Sequence, residues 1–167
     1  MSDSISSEMP DWDRELVSRG TYEPWKRMLS CIRKYQFINE NSGLFAIASK
    51  PLLVLKYRFW SAICGCDIPL NCNLGGGLLM PHPNGIVIHP DAKIGPNCII
   101  FQQVTIGTGS KPGLPNIGGH VDIGTGAKIL GGITIGDHVN IGANSVVIDD
   151  VPDNCTVVGI PAKIIRK

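Results

Sequence analysis

IGTGAKILGGITIGDHVNIGANSVV, residues 123–147, falls into blocks of six, each opening on Ile or Val. Followed outward, the phase gives Ile88, Ile94, Ile100, Ile106, Ile117, Ile123, Ile129, Ile135, Ile141 and Val147, spaced by six apart from one interval of eleven. A second series stands four places later and is mostly small or aliphatic: Ala92, Cys98, Val104, Val121, Ala127, Ile133, Val139, Ser145 and Val151. A third stands three places after the first: Asn97, Gln103, Gly109, His120, Gly126, Gly132, His138, Asn144 and Asp150. Nearly all of these are types that tolerate positive φ. A short strand and a tight turn therefore repeat. Six-residue repeats of this kind build a triangular β-helix, with three repeats to a coil, aliphatics pointing into the prism and turn residues at its corners. Roughly four to five coils are expected between residues 68 and 151. The long interval carries five extra residues, and TGSKPGLPN (108–116) is turn-rich enough to be an extruded loop.

Upstream the period changes. Residues 11–62 carry helical signals in RELVSRG, PWKRMLSCIRKYQFI and LFAIASKPLLVLKYRFWSAI, punctuated by Gly20, Gly43 and Pro51. Trp25, Met28, Leu29, Ile32 and Tyr35 share one face of the second segment, an apolar stripe that needs burial. The expected organisation is an N-terminal helical region, 1–66, followed by a mainly β domain, 67–167, ending in a short tail.

A net charge of +1 argues against a nucleic-acid partner and leaves small molecules and protein partners. The start, MSDSISSEMPDWDREL, lacks the basic and apolar regions of a secretion signal, so a cytoplasmic protein is expected. The apolar run at 44–55 is too short to cross a bilayer, but beside Lys56, Tyr57 and Arg58 it could make peripheral membrane contact. Six cysteines form no pair of C-x-x-C units, so reduced buried thiols are expected and no metal.

The histidines separate by series. His120 and His138 fall at corners, eighteen residues apart, where they would stack one coil above the other. His89 stands next to an inward Ile and is expected to face out. His82 lies six before Ile88, in a position the repeat otherwise gives to an aliphatic. An imidazole, with an ordinary pKa of about 6.5, suits removal of a proton from an alcohol attacking a thioester at neutral pH. A carboxylate on its other ring nitrogen would fix the tautomer, and backbone N–H groups would stabilise the oxyanion.

HPNGIVI (82–88), QQVTIG (102–107), IGTGAKILGGITIG (123–136), IGANSVV (141–147) and VVGIPAKII (157–165) resemble the serine acetyltransferase group of hexapeptide acyltransferases. The resemblance implies a left-handed β-helix, acetyl-CoA as co-substrate without a metal, and a homotrimer. It makes His82 the catalytic base and Asp67, fifteen residues earlier, the carboxylate that orients it. It also places the pantetheine arm along corner backbone at Gly107, Thr108, Gly126, Ala127, Ala143 and Asn144, with Lys128, Lys163 and Arg166 as partners for CoA phosphates.

Two departures bear on the acceptor. Pro81 stands where the serine enzymes have an aspartate before the histidine, and Gly113-Leu114 stands where they carry an Arg-His pair for the amino-acid carboxylate. PHPNGIVIHPDAKIG and FQQVTIG are also similar to acetyltransferases of surface-polysaccharide synthesis. The expectation is therefore acetyl transfer to a hydroxyl of a sugar or polysaccharide precursor. Serine O-acetylation is the alternative, and a non-catalytic trimeric scaffold the second alternative.

Overall fold

Successive six-residue blocks occupy successive faces of a left-handed parallel β-helix in the computed structural model, which describes residues 5–18, 20–40 and 44–166, without the side chains of 44–48. One face stacks Asn73–Leu74, Lys93–Ile94, Asn116–Ile117 and Thr134–Ile135. A second stacks Ile99–Ile100, Asp122–Ile123, Asn140–Ile141 and Thr156–Gly159, and the antiparallel strand Ala162–Arg166 closes its last edge. A third stacks Val87–Ile88, Thr105–Gly107, Lys128–Leu130 and Val146–Val147. Within each short strand the first residue points outward and the second inward, so Ile100, Ile106, Ile123 and Ile129 are fully buried.

The register measures each coil. Val87 pairs with Thr105, and Asn116 with Thr134, at the eighteen-residue step of three regular blocks. Lys93 pairs with Asn116 across twenty-three residues, and the five extra form the exposed loop before Asn116, as its composition predicts. The first coil is also irregular: Asp67 bridges to Val87, Asn73 pairs with Lys93 and Leu79 bridges to Ile99, each across twenty residues. Only residues 79–87 are common to those three intervals, so the two surplus residues belong to the PHPNG turn, where Gly85 has φ 72.

The corner series holds where coils are regular. Asn97, Gln103, His120, Gly126, His138 and Asn144 all have positive φ. Gly109, Gly132 and Asp150 do not. Gly109 and Gly132 flank the extruded loop, where Gly131 (φ 89) takes the left-handed conformation and Gly132 N–H donates to Lys111. Asp150 lies where the step shortens to sixteen residues, Ile135 bridging to Val151.

Two helices, α1 (Pro24–Glu40) and α2 (Leu44–Cys64), cover the first coil. Trp25, Met28, Leu29 and Ile32 of α1 are continuous with the prism core, whereas Tyr35 packs with Cys31, Ile38 and Leu53 in a second cluster. Arg33 donates to the Leu74 and Gly75 carbonyls at 2.6 Å each, satisfying backbone acceptors at the end of the stack.

Two helical expectations are corrected. Among the described residues of the first segment only Arg14 and Glu15 are helical, as the end of the single 3₁₀ turn Trp12–Glu15. Its surroundings instead form a strap over a prism corner, since Asn97, Leu78 and Arg33 offer that backbone and Glu15 better partners than one another. Pro51 does not punctuate; α2 runs through it, forgoing one backbone bond for a packed seam of Leu53, Tyr57, Trp60 and Cys64. Gly43 lies outside the described residues.

Candidate active site

His82 is solvent-exposed within the two-residue excursion of the first coil. The expected aliphatic register does not apply to it. Because Leu79 pairs with Ile99, the residue above inward Ile100 is Met80, fully buried, and Leu78 lies likewise above Cys98. Pro81, Pro83 and left-handed Gly85 then carry the chain out of the prism between its second and third faces. His82 thus crowns one edge of the prism. Below it on that edge stand Gln103, Gly126 and Asn144, a column of positive-φ residues whose N–H groups each donate to the coil above: Gln103 N–H to the Asn84 carbonyl, Gly126 N–H to Gln102, Asn144 N–H to Thr125.

Asp67 is exposed at the top of the adjacent third face, its backbone exchanging bonds with the 86–88 strand. No hydrogen bond joins its carboxylate to His82 among the described residues. Asp67 instead borders a cavity of about 310 Å³ on that face, shared with Pro69, Val87, Thr105, Gly107 and Thr108. A side chain at Gly107 would meet no atom within 4 Å, so this wall of the cavity is open because the residue is glycine.

The expected cofactor contacts divide between two edges. Gly107 and Thr108 lie on the far edge of the third face; Gly126, Ala143 and Asn144 lie on the His82 edge. A Cβ on Gly126 would approach Asn144 Oδ1 to 2.2 Å, so a side chain there would have to displace the exposed Asn144 amide, and the φ of 73 suits glycine. Ala127 is fully buried inside the prism, which leaves only its backbone for contact, and its carbonyl accepts from Thr105 N–H. Lys128 Nζ donates to the Gln103 carbonyl at 2.6 Å and to Thr105 Oγ1 at 3.1 Å, tying its charge to the coil above. Lys163 and Arg166 are exposed on the closing strand of the second face.

Gln102 escaped the sequence reading as a site residue. Its Oε1 is buried without a hydrogen-bond partner, one place from the corner beneath His82. An uncompensated buried acceptor costs free energy, which marks it as a group able to receive a donor from a bound molecule.

His120 and His138 stack as their spacing predicts, with Nδ1 atoms 2.8 Å apart and rings at 77°. One Nδ1 must donate and the other accept, so both cannot be protonated in this geometry. Burial is the main cause holding the His120 imidazole below its ordinary range; burial also raises the neighbouring Asp122 carboxyl. The pair lies on the edge covered by the N-terminal strap, away from His82. All six cysteines are free, and burial pushes the Cys72 and Cys98 thiols up to about 12, so both are protonated at neutral pH. No group of three or more metal-ligating side chains occurs among the described residues.

Serine acetyltransferase of Synechococcus elongatus is 46% identical over 108 residues, covering 63% of this chain and 44% of that enzyme. The crystal structure of serine acetyltransferase from Brucella abortus in complex with coenzyme A superposes with a TM-score of 0.74 at 33% identity, over 87% of this chain and 57% of that one. The Neisseria gonorrhoeae serine acetyltransferase in complex with serine gives 0.70 at 35% identity, over 86% and 57%. The chain spans about half the length of the curated relatives it matches. No protein-family model matches. These likenesses favour serine, the alternative acceptor, over the expected polysaccharide branch, which finds no support in them.

Proposed function

We propose that the protein is an acetyl-CoA-dependent O-acetyltransferase acting on serine, with His82 as general base, and that it works as a homotrimer. The observation that carries this reading is the placement of His82. It is lifted from the first coil onto a prism edge whose lower corners are Gln103, Gly126 and Asn144, beside the face that carries the Asp67 and Gly107 cavity. That arrangement accords with the likeness to serine acetyltransferases described with coenzyme A and with serine.

In the reaction, the acceptor hydroxyl oxygen attacks the thioester carbonyl while His82 takes its proton. Collapse of the tetrahedral adduct breaks the C–S bond, and the imidazolium returns the proton to the departing thiolate. Asp67 steadies the imidazolium once the bound acceptor draws the two side chains into line. Corner N–H groups stabilise the oxyanion.

One observation favours a sugar hydroxyl as a second reading. The extruded loop has Gly113-Leu114 where an amino-acid carboxylate would need a cation, and its Lys111 is already held by Asp149 at 2.8 Å, a contact that raises the lysine and lowers the carboxylate.

The test is thiol release from acetyl-CoA by the full chain. Serine should support release, and His82→Ala should slow it by about 10²–10⁴-fold. Release with a nucleotide sugar but not with serine would overturn the acceptor. Equal rates for His82→Ala would overturn the base, and no release with either acceptor would favour the scaffold.

A further inference from the structure

Two apolar seams run along α2. Leu53 and Cys64 are buried with Tyr57 and Trp60 half-buried between them, and this seam faces the fold. Leu52, Leu55, Phe59 and Ile63 are instead exposed, at 58%, 64%, 57% and 42%. At 3.6 residues per turn these four side chains fall within an arc of about 80°, flanked by Lys56 on one side and Arg58 on the other. The arc continues onto α1. Phe37 is also exposed, and with Leu52, Leu53, Lys34 and Lys56 it lines a groove of about 640 Å³ between the helices.

The charge of the chain is segregated in the same place. Residues 24–64 hold seven Lys and Arg against one acidic residue, Glu40, while the whole chain nets only +1. The α2 sequence itself has three cations and no carboxylate. An exposed apolar arc with cations on its flanks and no acid is the composition of a helix that lies in a membrane interface. It fits a second copy of itself poorly. Two α2 helices packed along this arc would oppose Lys56 and Arg58 to their own copies, with no carboxylate on either helix to pair them. Crossing the bilayer is a different matter: no helix of the described residues is long and apolar enough.

We propose that α2 docks the protein on an anionic lipid surface, with Leu52, Leu55, Phe59 and Ile63 entering the boundary between headgroups and acyl chains and Lys56 and Arg58 against lipid phosphates. This surface is separate from the His82 edge, and the proposal holds whichever hydroxyl is acetylated. Vesicle flotation of the full chain tests it. The protein should float with phosphatidylcholine vesicles containing about 30 mol% phosphatidylserine, much less with phosphatidylcholine alone, and less as salt is raised. Leu55→Glu/Phe59→Glu and Lys56→Glu/Arg58→Glu should each cut the bound fraction roughly tenfold, with circular dichroism and acetyl transfer to a soluble acceptor unchanged. Wild-type protein left behind by the anionic vesicles would overturn the proposal, as would seam variants that float like wild type. A drop in solution mass on Leu55→Glu/Phe59→Glu would overturn it too, by making the arc a contact between copies.

Discussion

Replacing Asn97 by Gly should destabilise the protein, whereas the same change at Asn144 should not. The two residues share a backbone state, with φ 60 and 56 at corners on two different prism edges, so glycine relieves the same left-handed strain at both. Their side chains differ. Asn144 is exposed and its side-chain amide has no hydrogen bond among the described residues. Asn97 is fully buried: Oδ1 accepts from Asp11 N–H at 2.8 Å, and Nδ2 donates to the carbonyls of Ser6 at 2.7 Å and Met9 at 2.8 Å. One amide thus satisfies three backbone groups of the strap. At about 1 kcal/mol net for each hydrogen bond, Asn97→Gly forfeits about 3 kcal/mol, from which relief of backbone strain returns up to about 1 kcal/mol. The expected loss is about 2–3 kcal/mol, against zero to a slight gain for Asn144→Gly. Urea denaturation followed by tryptophan fluorescence measures it, because Trp12 rides on the strap against Gly76 and Arg33. Local peeling of the strap would show as faster proteolysis ahead of residue 20. Equal midpoints and equal strap cleavage for the two glycine variants would refute the reasoning.

Two further outcomes are expected. Burial lowers the folded-state pKa of His120, so its contribution to stability is present above the unfolded value of about 6.5 and is lost as pH falls through the lower folded value; His120→Asn, which keeps a residue tolerant of positive φ, should flatten the stability curve between about pH 7 and pH 5, and a slope equal to wild type in urea titrations would count against this. Gly107→Val should leave the denaturation midpoint nearly unchanged, since a side chain there meets open space, but should raise the KM for acetyl-CoA about tenfold by entering the cavity beside Asp67; an unchanged KM would remove that cavity from the cofactor path.

The prism was legible because each inward aliphatic is enforced by a neighbour one coil away, eighteen residues along wherever the coil is regular, so an error in phase would expose every Ile on a face at once. His82 shows where such counting fails. Six places before Ile88 it keeps the phase on paper, but the coil has twenty residues, and the inward place belongs to Met80. The signal was present: Leu74, Met80 and Ile86 continue the second series through this coil, and Pro81, Pro83 and Gly85 mark a turn. The strap was illegible for another reason. Its order comes from the buried Asn97 amide, from Arg14 on the Asn97 carbonyl and from Glu15 between Arg33 and Leu78 N–H, contacts 18 to 91 residues apart in sequence, which no local pattern encodes.

The irregularities also account for where chemistry can sit on this fold. On a regular coil an outward side chain lies on a flat face, with near-identical neighbours 4.7–4.9 Å above and below, and nothing converges on it. Convergence needs residues lifted off the face. This chain has two such places, the excursion at 79–87 and the loop at 108–116, and they flank opposite edges of the third face, with the Asp67 and Gly107 cavity between them. His82 belongs to the first, and Gly113-Leu114 and the Lys111 pair to the second. On the proposed reading, the base and the acceptor-reading element are therefore carried on separate insertions in an otherwise rigid frame. Loop 108–116 can change its reading of a carboxylate or a sugar without disturbing the turn that presents the imidazole, which is why the likeness to serine acetyltransferases bears more strongly on the chemistry at His82 than on the identity of the hydroxyl.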